Sequence, residues 1–375
     1  MRQPLRTSSR LVLLLLIAAA PATLFGQDRN QSDTDTMPAR PRYDVLPHSA
    51  PRGVVRPPAA LPLWTGSFKY EGEKYTFQMV GAAPTTGKSS SFAVYLIPII
   101  LEYKKGSTTT TFSPETVQSN GLTAIQNTLA SPIFQNMEWV SPQGTNLGTT
   151  QYEDAFQRGN FWGTIAAPKR PGYHILLKTP TVTAAQTFVV PASEGKVGTE
   201  FGEQAGLADE DWFDGEIEPL LTSLKIPSSA LAIFMTYDVY LTEDGCCTGG
   251  YHNYNGIQTY AYFSYVGKPG AYAEDVEALS HEIGEWIDDP LGENTDVPFA
   301  CALDGNQQQV LEVGDPEEVD ANYGTFPYTL NGFTYHLQDL VYLEYFGAPA
   351  TTSVDHGALS FQDNPFNLTV CSNGG

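Results

Sequence analysis

The chain has 375 residues, with 42 acidic against 20 basic side chains and a formal net charge of −22. Such an excess of carboxylates excludes a surface built to attract nucleic acid and favours hard cations as ligands. With 41% hydrophobic residues, the chain carries enough apolar material for a large core.

At the start, Arg2, Arg6 and Arg10 precede an unbroken apolar run over residues 11–20, and small residues follow up to Gly26. This is the pattern of a secretory signal peptide over 1–26. The run is too short for an ordinary membrane span, and no second run of spanning length follows. Cleavage near Gly26 removes three arginines and no acids, so the expected product is more acidic still, soluble, and extracellular or periplasmic. Residues 27–60 are polar and dotted with Pro38, Pro41, Pro47, Pro51, Pro57 and Pro58. They read as a flexible linker.

Globular sequence begins near Leu61, and two lobes are expected, a β-rich one over 61–190 and a metal-binding one over 191–375. In the first, Phe68 and Tyr70 precede a polar turn and Tyr75, Phe77 and Met79 follow it, which predicts a hairpin. Residues 92–103 read as a buried strand in which Pro98 argues for an edge or a bulge. Leu122, Ile125 and Leu129 mark one amphipathic helix, and Tyr152 and Phe156 mark a second. Residues 173–177 and 187–190 read as strands. Trp139, Phe161 and Trp162 are assigned to the core.

In the second lobe Ile217, Leu220, Leu221 and Leu224 form a helical stripe, and Pro219 predicts a helix start close to it. Residues 230–241 are the strongest strand candidate. The stretch Gly245-Cys246-Cys247-Thr248-Gly249-Gly250-Tyr251-His252 reads as a glycine-rich loop, and 259–266 as a strand. Four cysteines, Cys246, Cys247, Cys301 and Cys371, fit disulfides in an oxidising compartment, and no C-x-x-C pair is present. A bond between the adjacent pair would be strained, so each is expected to reach Cys301 or Cys371.

The chemistry is carried by Ser280-His281-Glu282-Ile283-Gly284-Glu285-Trp286-Ile287-Asp288-Asp289-Pro290. In the zincin pattern H-E-x-x-H, two histidines one helical turn apart grip Zn²⁺ and the glutamate between them is the general base. Here Glu285 stands in the place of the second histidine. Val276, Leu279, Ile283 and Trp286 form an apolar stripe, and His281, Glu285 and Asp288 fall on another. Glu282 is expected to point away from that line, where it would hold the attacking water.

A third ligand is required, and the candidates are Glu312, Asp315 and His252. With Glu312, two carboxylates largely neutralise the ion, weaken its pull on water and shift preference from Zn²⁺ toward Mn²⁺ or Ca²⁺. With His252, the set becomes two histidines and a glutamate. Asp315 could then orient a ligand histidine, and Tyr251 could donate to a developing oxyanion. His48, His174, His336 and His356 read as structural, and Asp288, Asp289, Glu293 and Asp296 as solvated carboxylates rather than a Ca²⁺ loop.

An ordered series of segments resembles the phosphate-induced protein 1 (exordium-like) family and its secreted microbial relatives. It runs from Cys247, Gly250, Tyr251 and His252 through His281-Glu282-Ile283-Gly284-Glu285 and Asp289-Pro290. Glu312-Val313-Gly314-Asp315 and Tyr328-Thr329-Leu330-Asn331-Gly332-Phe333 follow, so that roughly residues 230–345 are covered. The family commonly has a cysteine after the Glu-x-x-Asp element, whereas Pro316-Glu317-Glu318 stands here. The resemblance implies an extracellular protein, in plants a cell-wall-associated one, and no particular reaction.

The expectation is therefore a secreted α+β protein, a mixed β-sheet in two lobes with a zincin-like metal-binding helix. Its expected function is that of a zinc-dependent, peptidase-like hydrolase acting on a peptide or extracellular polymer, with Glu282 as general base. The alternative is a non-catalytic extracellular binding protein with a structural metal. Neither has a nucleic-acid partner or a membrane span.

Overall fold

The computed structural model describes residues 42–45, 61–70, 72–142, 144–166, 170–243, 245–294, 311–317, 324–348 and 358–362. All of them lie in a compact unit spanning 39–375. The signal peptide, Cys301, Cys371, His48, His356 and Asp296 fall outside the described residues.

β1 (Arg42–Val45) is followed by an antiparallel hairpin of β2 (Leu63–Tyr70) and β3 (Glu73–Val80), as the sequence predicts. Gly72 takes φ +95° at its turn, a conformation open to glycine. Then come β4 (Ser89–Phe92), the long β5 (Val94–Lys105) and β6 (Thr108–Phe112). α1 (Ala124–Ala130) starts at a capping box, Thr123 Oγ1 accepting from Gln126 N while Gln126 Oε1 accepts from Thr123 N. The hairpin β7 (Met137–Val140) and β8 (Asn146–Thr150) leads into α2 (Tyr152–Asn160) and the short α3 (Trp162–Ile165). β9 (His174–Leu177), β10 (Thr181–Val182), β11 (Gln186–Val190), β12 (Gly195–Glu200) and β13 (Glu203–Asp209) precede α4 (Glu210–Ser223).

After α4 come β14 (Leu231–Tyr237), β15 (Val239–Thr242), β16 (Thr248–Tyr254), β17 (Thr259–Tyr265) and α5 (Glu277–Asp288). The remaining pairs are β18 (Thr325–Leu330) with β19 (Phe333–Gln338), and β20 (Val341–Leu343) with β21 (Ala358–Ser360).

One eleven-stranded mixed sheet runs β10-β5-β14-β17-β16-β15-β13-β12, with β1 on β16 and both β6 and β11 on β5. It is nearly closed and barrel-like, and the molecule is a sheet-rich α+β protein. β5, from the first expected lobe, pairs in parallel with β14 of the second, so one sheet carries strands of both. β14 is apolar at nearly every position because both of its faces are covered. Leu231, Ile233 and Met235 face the core that contains Leu279, Ile283 and Trp286 of α5. Ala232 and Phe234 face Phe213, Ile217 and Leu221 of α4. Full burial of each such large side chain stabilises by about 1.5–3 kcal/mol. Among the described residues, no helix is long and apolar enough to cross a membrane.

Several expectations are corrected. β5 is an interior strand, not an edge: its first half pairs with β14 and its second half with β6, and Pro98 is the last residue of the β14 register. The missing amide falls where one partner hands over to the next. Pro219 lies inside α4 rather than at its start. The helix begins at Asp209, whose Oδ1 accepts from Trp212 N, and the buried Phe213, Ile217 and Leu221 hold its face through the proline. Residues 230–241 are two strands, broken at Asp238, where φ is +50°.

The expected linker contributes β1, which pairs in parallel with β16. β15 meets β16 at a single residue pair, Leu241 with Thr248, so the rest of that strand edge is open to β1. Cys246 and Cys247 are bonded to each other, not to distant partners, their sulfurs meeting across a cis peptide.

Candidate metal centre

α5 is enclosed along its whole length by β3, β16, β17, β19 and α2. Its apolar stripe packs as the sequence predicts. Trp286 donates from Nε1 to Thr259 Oγ1 at 2.8 Å and meets Phe92 edge-on with ring centroids 5.7 Å apart. The other face is polar and equally buried, so His281, Glu282, Glu285 and Asp288 are interior groups rather than a solvated face. Buried polar groups of this kind need partners.

Two glycines allow that enclosure. A Cβ on Gly250 would stand 2.9 Å from Glu282 Oε1 and 3.0 Å from the Tyr262 carbonyl, so glycine lets α5 settle against β16. On the far side, a Cβ on Gly284 would meet Leu340 Cδ1 at 2.6 Å. The glycine-rich stretch is therefore largely strand, not loop, and β16 delivers His252 from within the sheet.

Alternation along β16 separates two residues that the sequence analysis placed together. His252 points to the α5 side. Tyr251 points to the opposite side, where its hydroxyl donates to Asp214 Oδ1 of α4 at 2.8 Å. Burial, followed by the nearby Asp214 charge, pushes the Tyr251 pKa well above its usual value. The structure thus removes Tyr251 from the centre and gives it a tie between sheet and helix.

His252 has both ring nitrogens engaged. Nε2 lies 3.0 Å from the main-chain oxygen of Asp289. A carbonyl only accepts, so Nε2 carries the proton. Nδ1 then faces Glu282 Oε2 at 3.3 Å and Glu285 Oε2 at 3.8 Å. Glu282 is accordingly drawn into the cluster instead of standing apart from the His281–Glu285 line. Asp289 is held for its task by a turn, its carboxylate accepting from Glu293 N at 3.0 Å and Asn294 N at 3.1 Å. Burial raises the Asp289 carboxyl to about 7.

His281 presents Nε2 to Glu285 Oε1 at 3.0 Å and to Asp315 Oδ1 at 3.5 Å. Segment 311–317 closes over it: Gly314 N donates to Glu285 Oε1 at 3.0 Å, and Gly314 lies so near the imidazole that a Cβ there would come within 2.3 Å of Nδ1. Glu312 shares a hydrogen bond with Glu285. Burial opposes charge on His281, but the carboxylates of Glu285 and Asp315 outweigh it and raise its pKa above 6.5. Burial, then the neighbouring Glu285, pushes Glu312 well above the usual carboxylate range.

Six of the seven predicted site residues therefore converge: His252, His281, Glu282, Glu285, Glu312 and Asp315, none more than 3% exposed. Two triads have ligand atoms within 4.8 Å of one another, His252/Glu282/Glu285 and His281/Glu285/Asp315. The main-chain contributions of Asp289 and Gly314 escaped the sequence analysis, although the Asp289-Pro290 helix stop and the glycine of Glu-Val-Gly-Asp mark both places. Also missed was the contact between Asp288 and Gln157 of α2. His336, read as structural, pairs with Asp275 at 2.7 Å and Glu274 at 3.3 Å in a third group of ligand-type residues. Compared with protein-family models, curated proteins and solved structures, the chain matches none.

Proposed function

We propose that the chain is a metalloprotein whose buried centre activates water, a metallohydrolase acting on a peptide or another extracellular polymer. The observation that carries this reading is the orientation of His252. Its Nε2–H is committed to the Asp289 carbonyl, leaving Nδ1 to confront two carboxylates at 3.3 and 3.8 Å. A proton or a metal ion between them satisfies all three groups, and a main-chain carbonyl on the far nitrogen is the usual brace of a metal-ligating histidine. His281 turns Nε2 toward Glu285 and Asp315 on the other side.

His252 and Glu285 are the protein groups assigned to hold the ion, with His281 and Asp315 on the other side of Glu285. A mixed set of imidazoles and carboxylates suits Zn²⁺ or Mn²⁺ better than Ca²⁺. A divalent ion held there would supply a water acidic enough to lose its proton near neutral pH, and Glu282, 3.3 Å from His252 Nδ1, would be the group to accept that proton. A cavity of about 230 Å³ is lined by Gln78, Asp289 and Asn294, and none of His252, His281, Glu282 and Glu285 lines it.

The test is paired. Glu282→Gln should keep the metal and the melting temperature but lower peptide hydrolysis by about 10²–10⁴-fold. His252→Ala should lose metal and hydrolysis together. A second reading, a structural metal in a non-catalytic extracellular protein, is favoured by the near-complete burial of all six residues. It predicts that Glu282→Gln leaves every solution property except stability unchanged, and that no peptide or polymer is cleaved by the metal-loaded protein.

A further inference from the structure

Glu285 belongs to two ligand sets at once. Its Oε1 lies 3.0 Å from His281 Nε2, and its Oε2 lies 3.8 Å from His252 Nδ1. On the Oε2 side Glu282 completes the set with His252, and on the Oε1 side Asp315 completes it with His281. Helix geometry creates the sharing, because Glu285 follows His281 by four residues and Glu282 by three and so neighbours both.

We propose that the centre holds two divalent cations, one in each set, with the Glu285 carboxylate bridging them. This rests on the metal-centre reading above, adds a second ion to it and makes Glu282 a ligand, so a two-ion result displaces the general-base role given to Glu282 there.

Glu312 supplies an independent observation. It is 2% exposed and hydrogen-bonded to Glu285, yet its Oε1 has no hydrogen-bond partner. A buried carboxylate oxygen left over beside a shared carboxylate is a ready terminal ligand. The two sets also match, one imidazole and two carboxylates each, so they select the same kind of ion. A single bridging carboxylate fits ions about 3.5–4 Å apart, the spacing of two-metal hydrolytic sites.

The test uses the full chain loaded with Mn²⁺ and dialysed, with ions counted by mass spectrometry and coupling read by electron paramagnetic resonance. Two ions per chain with an exchange-coupled spectrum is the expected result. Asp315→Ala and Glu282→Ala, one from each set, should each hold one ion and give the uncoupled six-line spectrum. One ion in the wild-type chain overturns the bridge and leaves the proposed function standing. No ion overturns both. A count of two or of zero in either variant also overturns the bridge.

Discussion

His252 donates from Nε2 to the main-chain oxygen of Asp289, 3.0 Å away, across the junction between β16 and the end of α5. That single bond fixes the imidazole tautomer and turns Nδ1 toward Glu282 and Glu285. A strand from the main sheet and the residue that ends the motif helix thus orient one imidazole together.

Because ion binding is linked to folding, metal removal should destabilise the protein. An ion held at 100 times its dissociation constant adds about 2.7 kcal/mol to stability, enough to move the melting temperature by several degrees. Chelation should therefore lower the melting temperature of the wild type, and fresh Zn²⁺ or Mn²⁺ should restore it. His252→Ala should show no such response in calorimetry. An equal response in the variant would count against His252 as a ligand.

Gly314→Ala removes no ligand. Its new Cβ would crowd His281 Nδ1, which the ideal geometry places 2.3 Å away, and so should tilt the ring away from Glu285 and Asp315. Ion affinity, measured by competition with a chelating dye, should fall on the order of 10-fold, as when a bracing group around a metal is lost. Unchanged affinity would show that the ring is not held where the ion binds.

Trp286 tests the apolar side of the same helix. It is fully buried, bonded to Thr259 Oγ1 and edge-on to Phe92. Trp286→Ala should cost about 3–5 kcal/mol in urea unfolding through the cavity it leaves. Thr259→Val should cost about 1–3 kcal/mol by leaving the indole N–H unsatisfied. Were Thr259→Val neutral, the hydrogen bond would be contributing no net stability.

The hairpin β18–β19 is attached by a pH-sensitive contact. His336 Nδ1 lies 2.7 Å from Asp275 Oδ2 and 3.3 Å from Glu274 Oε1, and His336 N donates to Asp275 Oδ1 at 3.0 Å. Burial works against charge on His336, but Asp275, Glu274 and Glu277 raise its pKa above 6.5. Burial lifts Asp275 from 3.8 to about 6. Both folded-state values exceed the unfolded ones, so the folded chain holds more protons and loses stability as pH rises. For Asp275 the loss falls between 3.8 and about 6. For His336 the contribution is complete below 6.5 and is lost as pH climbs through the higher folded value. Melting curves from pH 6 to 9 should fall more steeply for the wild type than for His336→Gln. Parallel curves would remove His336 from the account.

The motif helix was legible because Leu279, Ile283 and Trp286 repeat with helical spacing and Asp289-Pro290 stops it. The convergence of His252, Glu312 and Asp315 on it was legible as a set of ligand-type residues. What pattern alone missed was the burial of both helix faces, since a polar stripe reads as solvated until something closes over it. Segment 311–317 does so here, through the Gly314 contact with His281 and the Gly314 amide on Glu285.

The errors have a common physical origin in glycine and proline, which break elements by local preference. Gly249 and Gly250 suggested a loop, but tertiary packing of Glu282 against Gly250 demands a residue without a side chain inside a strand. Pro219 suggested a helix start and Pro98 an edge or a bulge, but α4 is held by Phe213, Ile217 and Leu221, and β5 changes partner where its amide is missing. Tyr251 was misplaced because a loop has no alternation, whereas a strand sends neighbours to opposite faces.

The central claim is that a metal ion, not a proton, lies between His252 Nδ1 and the carboxylates of Glu282 and Glu285. Anomalous diffraction from crystals of the metal-loaded protein, recorded on both sides of the Zn²⁺ or Mn²⁺ absorption edge, tests it most directly. The account predicts a strong peak about 2.0–2.3 Å from His252 Nδ1, within coordination distance of a glutamate oxygen. An ordered site without such a peak, with Nδ1 donating a hydrogen bond straight to Glu282, would contradict it.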